Sequence, residues 1–263
     1  MNLYLENGYL NIPGIVSWCK SQNIWFLYVV GGRATGKTYG ALQMAIDEEQ
    51  KFMYMRQRQT QIELITLDEF NPFKTLNRDR GWNIHAIRRN KYTRGWYHCV
   101  DEDGKAVPEG NQLGVSAALS TMANLRGLDA SDITLFIDDE FIPQEEEIKV
   151  KNAAQATFNA YETFNRNREF NGEDPIFFMA LSNSNTLEND LFIELNLVTI
   201  AERLKRQGRE WYYDKKKGVA MIILKESPIS KRKGDTALYR MTEGTRFSQM
   251  SLDNEFAKDE QVR

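Results

Sequence analysis

Gly31, Gly36, Lys37 and Thr38 stand in the spacing G-x-x-x-x-G-K-T, inside the stretch IWFLYVVGGRATGKTYGA. That spacing suits a chain of phosphates. Glycines let the backbone wrap closely around anionic oxygens, and a helix start behind them adds unpaired N–H donors and a positive dipole end. Lys37 reaches the outer phosphates, and the Thr38 hydroxyl is a hard oxygen ligand for Mg2+. The expected binding set is Gly31, Gly32, Arg33, Ala34, Thr35, Gly36, Lys37 and Thr38. Such a site also needs acids, and ITLFIDDEF supplies them about a hundred residues on. Asp139 is read as the metal-side acid, acting through water, and Glu140 as the base that polarises the attacking water. Asp138 stands as the alternative metal-side acid, because pattern fixes a strand end only to within a residue or more. A glutamate next to the metal acid makes water the nucleophile. The expected cofactors are ATP and Mg2+.

The elements that must hold these residues alternate between strand and helix. The apolar run 24–30 reads as a buried strand, 37–50 as a helix and 51–56 as a second strand, followed by a polar segment at 57–65. Segments 82–90 and 95–107 read as antiparallel strands with turns at NKYTRG and DEDGK, a hairpin insertion. Segment 132–140 is a third buried strand, 153–170 a helix, 174–184 a fourth strand, and 188–208 a helix stopped by Gly208. Residues 210–228 read as one more hairpin around DKKKG. This order implies an α/β fold, a mainly parallel sheet flanked by helices, with ligands outside the carboxyl ends of the strands. The boundary is drawn at 208, giving a main nucleotide-binding domain of 1–208 and an appendage, or the start of a second domain, at 209–263; a boundary after Pro228 is the alternative.

Composition narrows the class. With 263 residues, 41% hydrophobic and 27% charged, the chain buries a sizeable core, and no apolar run nears the roughly 18 residues of a membrane span. The start MNLYLENGYL lacks a basic region followed by an apolar stretch, so no secretory signal is expected. Two cysteines and two histidines make neither a disulfide framework nor a zinc site. Net charge is −3, yet unevenly spread: residues 78–94 hold six Lys/Arg against one acid, 201–233 hold eleven against four, and 138–147 hold six acids. Basic segments of this kind suit a polyphosphate partner, or form solvated faces. Trp82, Tyr92, Trp96, Trp211, Tyr212 and Tyr213 lie among them, as core or as stacking platforms.

From the loop GGRATGKTYGA, the strand-plus-arginine FMYMRQRQTQIE, ALSTMANLRG before LFIDDEFI, and FMALSNSNTLENDLF after it, the chain resembles the DNA-packaging ATPases of tailed bacteriophages. Within that terminase large-subunit clan it looks most like the DNA-encapsidation motor ATPases of small short-tailed phages. The resemblance spans about residues 28–192. It implies a P-loop NTPase of the additional-strand catalytic-glutamate type. The implied function is a ring motor that hydrolyses ATP to move double-stranded DNA into a preformed capsid. Implied partners are double-stranded DNA, further copies of the chain in a ring, the viral portal or procapsid, and a packaging RNA or small terminase, with no membrane. The implied place is the host bacterial cytoplasm, transiently on the procapsid. By the same resemblance Arg33 contacts or senses the γ-phosphate, Ser182 and Asn183 couple hydrolysis to motion, and Arg166 is the arginine finger.

Read from residues alone, Arg33 is also compatible with a solvent-exposed loop position, Ser182 and Asn183 with a helix cap, and Arg166 and Arg168 with cations at a helix end. The chain departs from larger packaging ATPases in showing no clustered acids of a nuclease domain. A helicase or recombination-type ATPase and a non-catalytic ATP-binding switch are the competing functions.

Overall fold

The computed structural model describes residues 2–125, 130–144, 147–183, 187–224, 235–245 and 248. In chain order the elements are α1 (Ile12–Ser21), β1 (Phe26–Val30), α2 (Lys37–Asp47), β2 (Phe52–Arg56), α3 (Gln59–Leu64), α4 (Lys74–Arg80), β3 (Ile84–Arg88), β4 (Arg94–Glu102), β5 (Lys105–Ala118), β6 (Leu135–Asp139), α5 (Ala153–Asn165), β7 (Phe177–Ser182), α6 (Asp190–Glu194), α7 (Val198–Gln207), β8 (Trp211–Asp214) and β9 (Val219–Ile223). The fold is mixed α/β. Among the described residues no helix is long and apolar enough to cross a membrane.

The chain divides into two compact units, one made of 1–37, 142–147 and 181–263, the other of 38–141 and 148–180. In the first, β1 pairs in parallel with β9, and β9 pairs antiparallel with β8, so the hairpin expected around DKKKG forms. β9 lies beyond the boundary drawn at Gly208, yet it is the partner of β1. Four of the five β1 residues are buried, each apolar side chain contributing about 1.5–3 kcal/mol by leaving water. Trp211 and Tyr213 lie edge-on to Trp18 of α1, with ring centres 4.9 and 5.2 Å away, so these aromatics pack on one another, with Trp18 and Trp211 half-buried and Tyr213 exposed.

α1 begins where Asn11 accepts from the Gly14 N–H at 3.1 Å with a proline inside the first turn, a start signal that the apolar periodicity alone does not reveal. The helix expected over 188–208 is two helices, broken at Leu195–Leu197 where Asn196 takes φ 57°. Gly208, at φ 71°, ends α7 as expected.

In the second unit the strands run β3-β4-β5-β2-β6 with β7 beyond β6. β2 is parallel to β5 and to β6, and the β3-β4 and β4-β5 pairs are antiparallel. The insertion is therefore three strands, because the far half of β5 continues past the hairpin and lies along β2. Gly114 makes this close approach possible: a Cβ there would stand 2.5 Å from the Phe52 carbonyl oxygen. Trp96 is fully buried against Phe73, ring centres 5.1 Å apart, and its indole N–H donates to Ser116 Oγ at 2.6 Å. The segment read as merely polar at 57–65 holds α3, anchored by buried Ile62. On the other side of the unit Phe136, Phe164 and Phe178 pack α5 against β6 and β7.

Candidate active site

In the first unit the glycine loop joins β1 to the start of α2. Its backbone is shaped for close approach. Gly36 has φ 87°, Ala34 has φ 58°, and a Cβ at Gly36 would meet the Tyr9 ring at 3.0 Å. The Lys37 ammonium is 7% exposed and donates to the Gly31 and Gly32 carbonyls at 2.9 and 2.8 Å and to Thr35 Oγ1 at 3.3 Å. Three donors thus point into the loop, where phosphate oxygens are the stronger acceptors for a cation. Arg33 is exposed and donates to Gln144 Oε1 at 3.1 Å, which ties the loop tip to the segment after the acids. Ser182 ends β7: its carbonyl accepts from the Gly31 N–H at 3.2 Å and its hydroxyl donates to the Ile142 carbonyl at 3.3 Å. Among the described residues the next helix, α6, is capped by Asn189. Asn183 follows it, half-buried.

In the second unit the acids gather at the end of β6. Asp139 Oδ1 accepts from Thr38 Oγ1 at 2.8 Å, and its Oδ2 accepts from Tyr54 Oη at 2.7 Å and Arg56 Nη1 at 3.0 Å. Arg56 Nη2 also pairs with Glu140 Oε2. Glu140 sits just past the strand at φ 62°, a left-handed conformation that a residue with a Cβ adopts only where its surroundings impose it. Burial lowers the Arg56 pKa, but Tyr54, Asp139 and Glu140 outweigh it and raise the pKa above the ordinary value. Burial first, and the nearby Asp139, raise the Tyr54 hydroxyl well above its usual range.

Asp138 points elsewhere. It is fully buried, neither oxygen has a hydrogen-bond partner among the described residues, and burial together with Asp139 pushes its pKa up to about 8. The contact to Thr38 thus belongs to Asp139, not to the alternative Asp138. An aligned hydroxyl and carboxylate oxygen fit Mg2+, which takes one or two protein oxygens and completes its shell with phosphates and water.

The two arginines after α5 separate clearly. Arg166 is exposed at the helix end. Arg168 is engaged with the carbonyls of Asp174, Ser131 and Ile133 and with the Glu173 carboxylate, a bracing role. The strand-plus-arginine FMYMRQRQTQIE contains Tyr54 and Arg56, but sequence reading assigns neither of them a role in the site. Their signal is weak but present, since alternate residues on β2 share a face and an arginine ends the strand. The acids Glu145 and Glu146, and parts of ALSTMANLRG and FMALSNSNTLENDLF (residues 126–127 and 184–186), lie outside the described residues.

A strand, a G-x-x-x-x-G-K-T loop and a helix, with a second acid-tipped strand whose carboxylate takes the loop threonine, define a phosphate-loop protein. Residues 17–263 match the family described as Podovirus DNA encapsidation protein (Gp16), and the chain belongs to that family. It is 25% identical over 242 residues to the DNA packaging protein of Bacillus phage B103, covering 89% of this chain and 65% of that protein. The chain thus spans just under two thirds of that relative's length. Its fold is similar to the crystal structure of the N-terminal domain of the DNA packaging ATPase from bacteriophage phi29, with a TM-score of 0.57, 20% identity, and 82% and 96% of the two chains covered. It is also similar to a chain of the bacteriophage Phi-29 viral genome packaging motor assembly, with a TM-score of 0.61, 20% identity, and 100% and 70% covered.

Proposed function

We propose that this chain is the ATP-hydrolysing motor of a phage DNA-packaging machine, a ring of copies that drives double-stranded DNA into a preformed capsid in the host bacterial cytoplasm. The observation that carries the reading is the 2.8 Å hydrogen bond from Thr38 to Asp139, which aligns the last residue of the loop pattern with the acid strand. Gly31 to Lys37 hold the triphosphate, with Arg33 at its outer end. Thr38 and Asp139 hold Mg2+, which when bound neutralises charge on the transferring phosphoryl group. Glu140 takes a proton from the attacking water and must first let go of Arg56. Ser182 and Asn183 lie where a change at the loop's first glycine is passed into β7. This is the division of labour of the additional-strand catalytic-glutamate class of P-loop enzymes. Arg166 serves the neighbouring subunit as its finger.

DNA translocation must ignore sequence, so the protein holds phosphates rather than base edges. Exposed Arg88, Arg89 and Lys91 at the β3-β4 turn and Lys215, Lys216 and Lys217 at the β8-β9 turn suit that task. The portal or procapsid, and a packaging RNA or small terminase, are the further partners. The test is ATP turnover alone, with DNA, and with DNA plus a purified empty shell. Stimulation that needs the shell supports the packaging motor. Stimulation by DNA alone with strand unwinding points to a helicase, and tight ATP binding with no turnover to a switch.

A further inference from the structure

The hairpin turn between β3 and β4 buries a cation without giving it a counter-ion. Arg94 opens β4 and is 4% exposed, yet no carboxylate pairs with it among the described residues. A buried charge left so is costly. Arg94 Nη1 donates to the Asn90 and Thr93 carbonyls at 3.1 and 3.0 Å, which spends both of its hydrogens and clamps the guanidinium to the turn. The opposite edge, Nε with Nη2, meets no acceptor among the described residues, and Nε is buried. Those two N–H groups are parallel donors, the fork that takes two oxygens of one phosphate.

The surroundings add positive charge. Arg88 is the direct cross-strand partner of Arg94, and like charges facing each other across a ladder are destabilising. Burial first, and then Arg88, lowers the Arg94 pKa, with Glu63 opposing them. Arg89 and Lys91 are exposed in the same turn, so residues 88–94 hold four cations and no acid. The backbone beneath them is fixed. Asn90 Oδ1 accepts from the Tyr92 and Thr93 N–H groups at 2.8 and 2.9 Å, and the Arg89 N–H donates to the Thr93 carbonyl at 3.2 Å. An excess of this size suits a phosphodiester chain, whose successive phosphates can meet the exposed cations, better than a single carboxylate. Arg88, Arg89 and Lys91 are long side chains that can swing to admit the anion and close on it.

We propose that the free edge of Arg94 binds one backbone phosphate of duplex DNA and that Arg88, across the ladder, closes on the same phosphate, a site that rests on the packaging reading above for the source of the phosphate. The test titrates the full chain with duplex DNA by fluorescence anisotropy over a range of salt. Arg94→Lys keeps the charge and can still reach the turn carbonyls, but it has no fork. Its affinity should fall by about tenfold to a hundredfold at every salt concentration, while the slope of log affinity against log salt stays that of wild type. Arg88→Gln should weaken DNA binding and lower the slope by about 0.9, and it should raise the thermal midpoint of the DNA-free chain by about 1–3 °C, because a repulsion is gone. Unchanged affinity in Arg94→Lys overturns the site. Should Arg94→Lys fail to fold, Arg88→Gln decides: a raised midpoint with weakened binding supports the site, and any other combination overturns it.

Inorganic phosphate separates the two sources of the anion. Phosphate that raises the wild-type thermal midpoint at constant ionic strength, while Arg94→Lys binds DNA as wild type does, assigns the site to a free anion and overturns the DNA contact. Turnover separates the site from the reading it rests on. Absence of ATP turnover in the wild-type chain sinks the motor and leaves the DNA titrations to decide the site. DNA-stimulated turnover with unchanged affinity in Arg94→Lys sinks the site and leaves the motor.

Discussion

The glycine loop meets its charge with residues next to it, whereas the acid edge borrows from far along the chain. Lys37 donates to Gly31, Gly32 and Thr35, all within six positions. Asp139 and Glu140 take Arg56 from 83 and 84 residues away, with Tyr54 beside it. The loop is made of backbone, and an arriving phosphate replaces carbonyl partners of one ammonium. The acid edge is made of side chains, and an arriving metal has to compete with a guanidinium. The first site is therefore ready as folded, and the second is held in reserve by its own cation.

Two substitutions probe this contrast most strongly. Glu140→Gln should lower turnover by about 10²–10⁴-fold while ATP stays bound, because a general base contributes in that range. Lys37→Ala should lose nucleotide affinity and turnover together, by roughly 10²–10³-fold, as the loop's own fixed charge disappears. Fluorescent-nucleotide titration beside single-turnover hydrolysis separates the two. Near wild-type turnover in Glu140→Gln removes the base assignment, and failure to bind ATP there gives Glu140 a metal role instead.

The acid edge should also differ in how it loses stability. Arg56→Ala removes the guanidinium that Asp139 and Glu140 share, at a cost of about 2–3 kcal/mol, below the full penalty of a broken buried pair because the Arg56 side chain keeps 20% exposure. Added Mg2+ should raise the depressed thermal midpoint of this variant by more than it raises that of wild type, since a divalent cation replaces the missing charge. Equal Mg2+ effects on both proteins would show that the arginine and the metal do not share a carboxylate.

Asp138 gives a gentler, pH-dependent effect. Its folded pKa of about 8 lies above the unfolded carboxylate value, so the native state holds the extra proton between them. Its contribution is fully present below pH ~4 and is lost as pH rises through about 8, with a slope of up to ~1.4 kcal/mol per pH unit. Denaturant midpoints across that range should fall more steeply for wild type than for Asp138→Asn. Parallel curves would mean that Asp138 meets its charge another way.

What the sequence makes legible follows the same division. The loop and the acid strand are local patterns, and β1, α2, β2, β6, β7 and Gly208 stand close to where periodicity and stop signals put them. The partners of those strands are not local. No strand is expected over the far half of β5, where Gly114, Ser116, Ala117 and Ala118 are small residues fitted against a neighbouring strand. Rising charge places β9 with an appendage, while its pairing with β1 spans nearly two hundred positions and leaves no spacing to find. The strand-plus-arginine feature marks Arg56, but its role escapes pattern for the same reason, since it depends on which strand lies beside β2. Arg166 and Arg168 look alike as letters at a helix end, and only the fold separates them: Arg166 donates back to the Thr163 carbonyl of its own helix, and Arg168 reaches the distant Ser131 and Ile133 carbonyls.

The smallest effect concerns the two basic turns, one in each unit. Asp214 Oδ1 accepts from the Lys216 and Lys217 N–H groups at 2.9 and 3.1 Å, so the β8-β9 turn has a fixed backbone that presents three exposed lysines. At the β3-β4 turn the Lys91 carbonyl accepts from Gln59 Nε2 at 3.1 Å, and the Lys91 ammonium lies 5.5 Å from the Tyr92 ring centre. Both are ordered supports for cations on a chain whose net charge is −3, so any grip on DNA has to be concentrated in such places. Each DNA phosphate that the protein ceases to neutralise should reduce the slope of log affinity against log salt by about 0.9. Replacing Lys215, Lys216 and Lys217 by alanine should therefore flatten the slope by up to roughly three such steps, with no change of sequence preference. Replacing Arg88, Arg89 and Lys91 should do the same if both units track the backbone. A slope that responds to one set alone assigns the DNA contact to that unit, and a slope that responds to neither returns both turns to solvent.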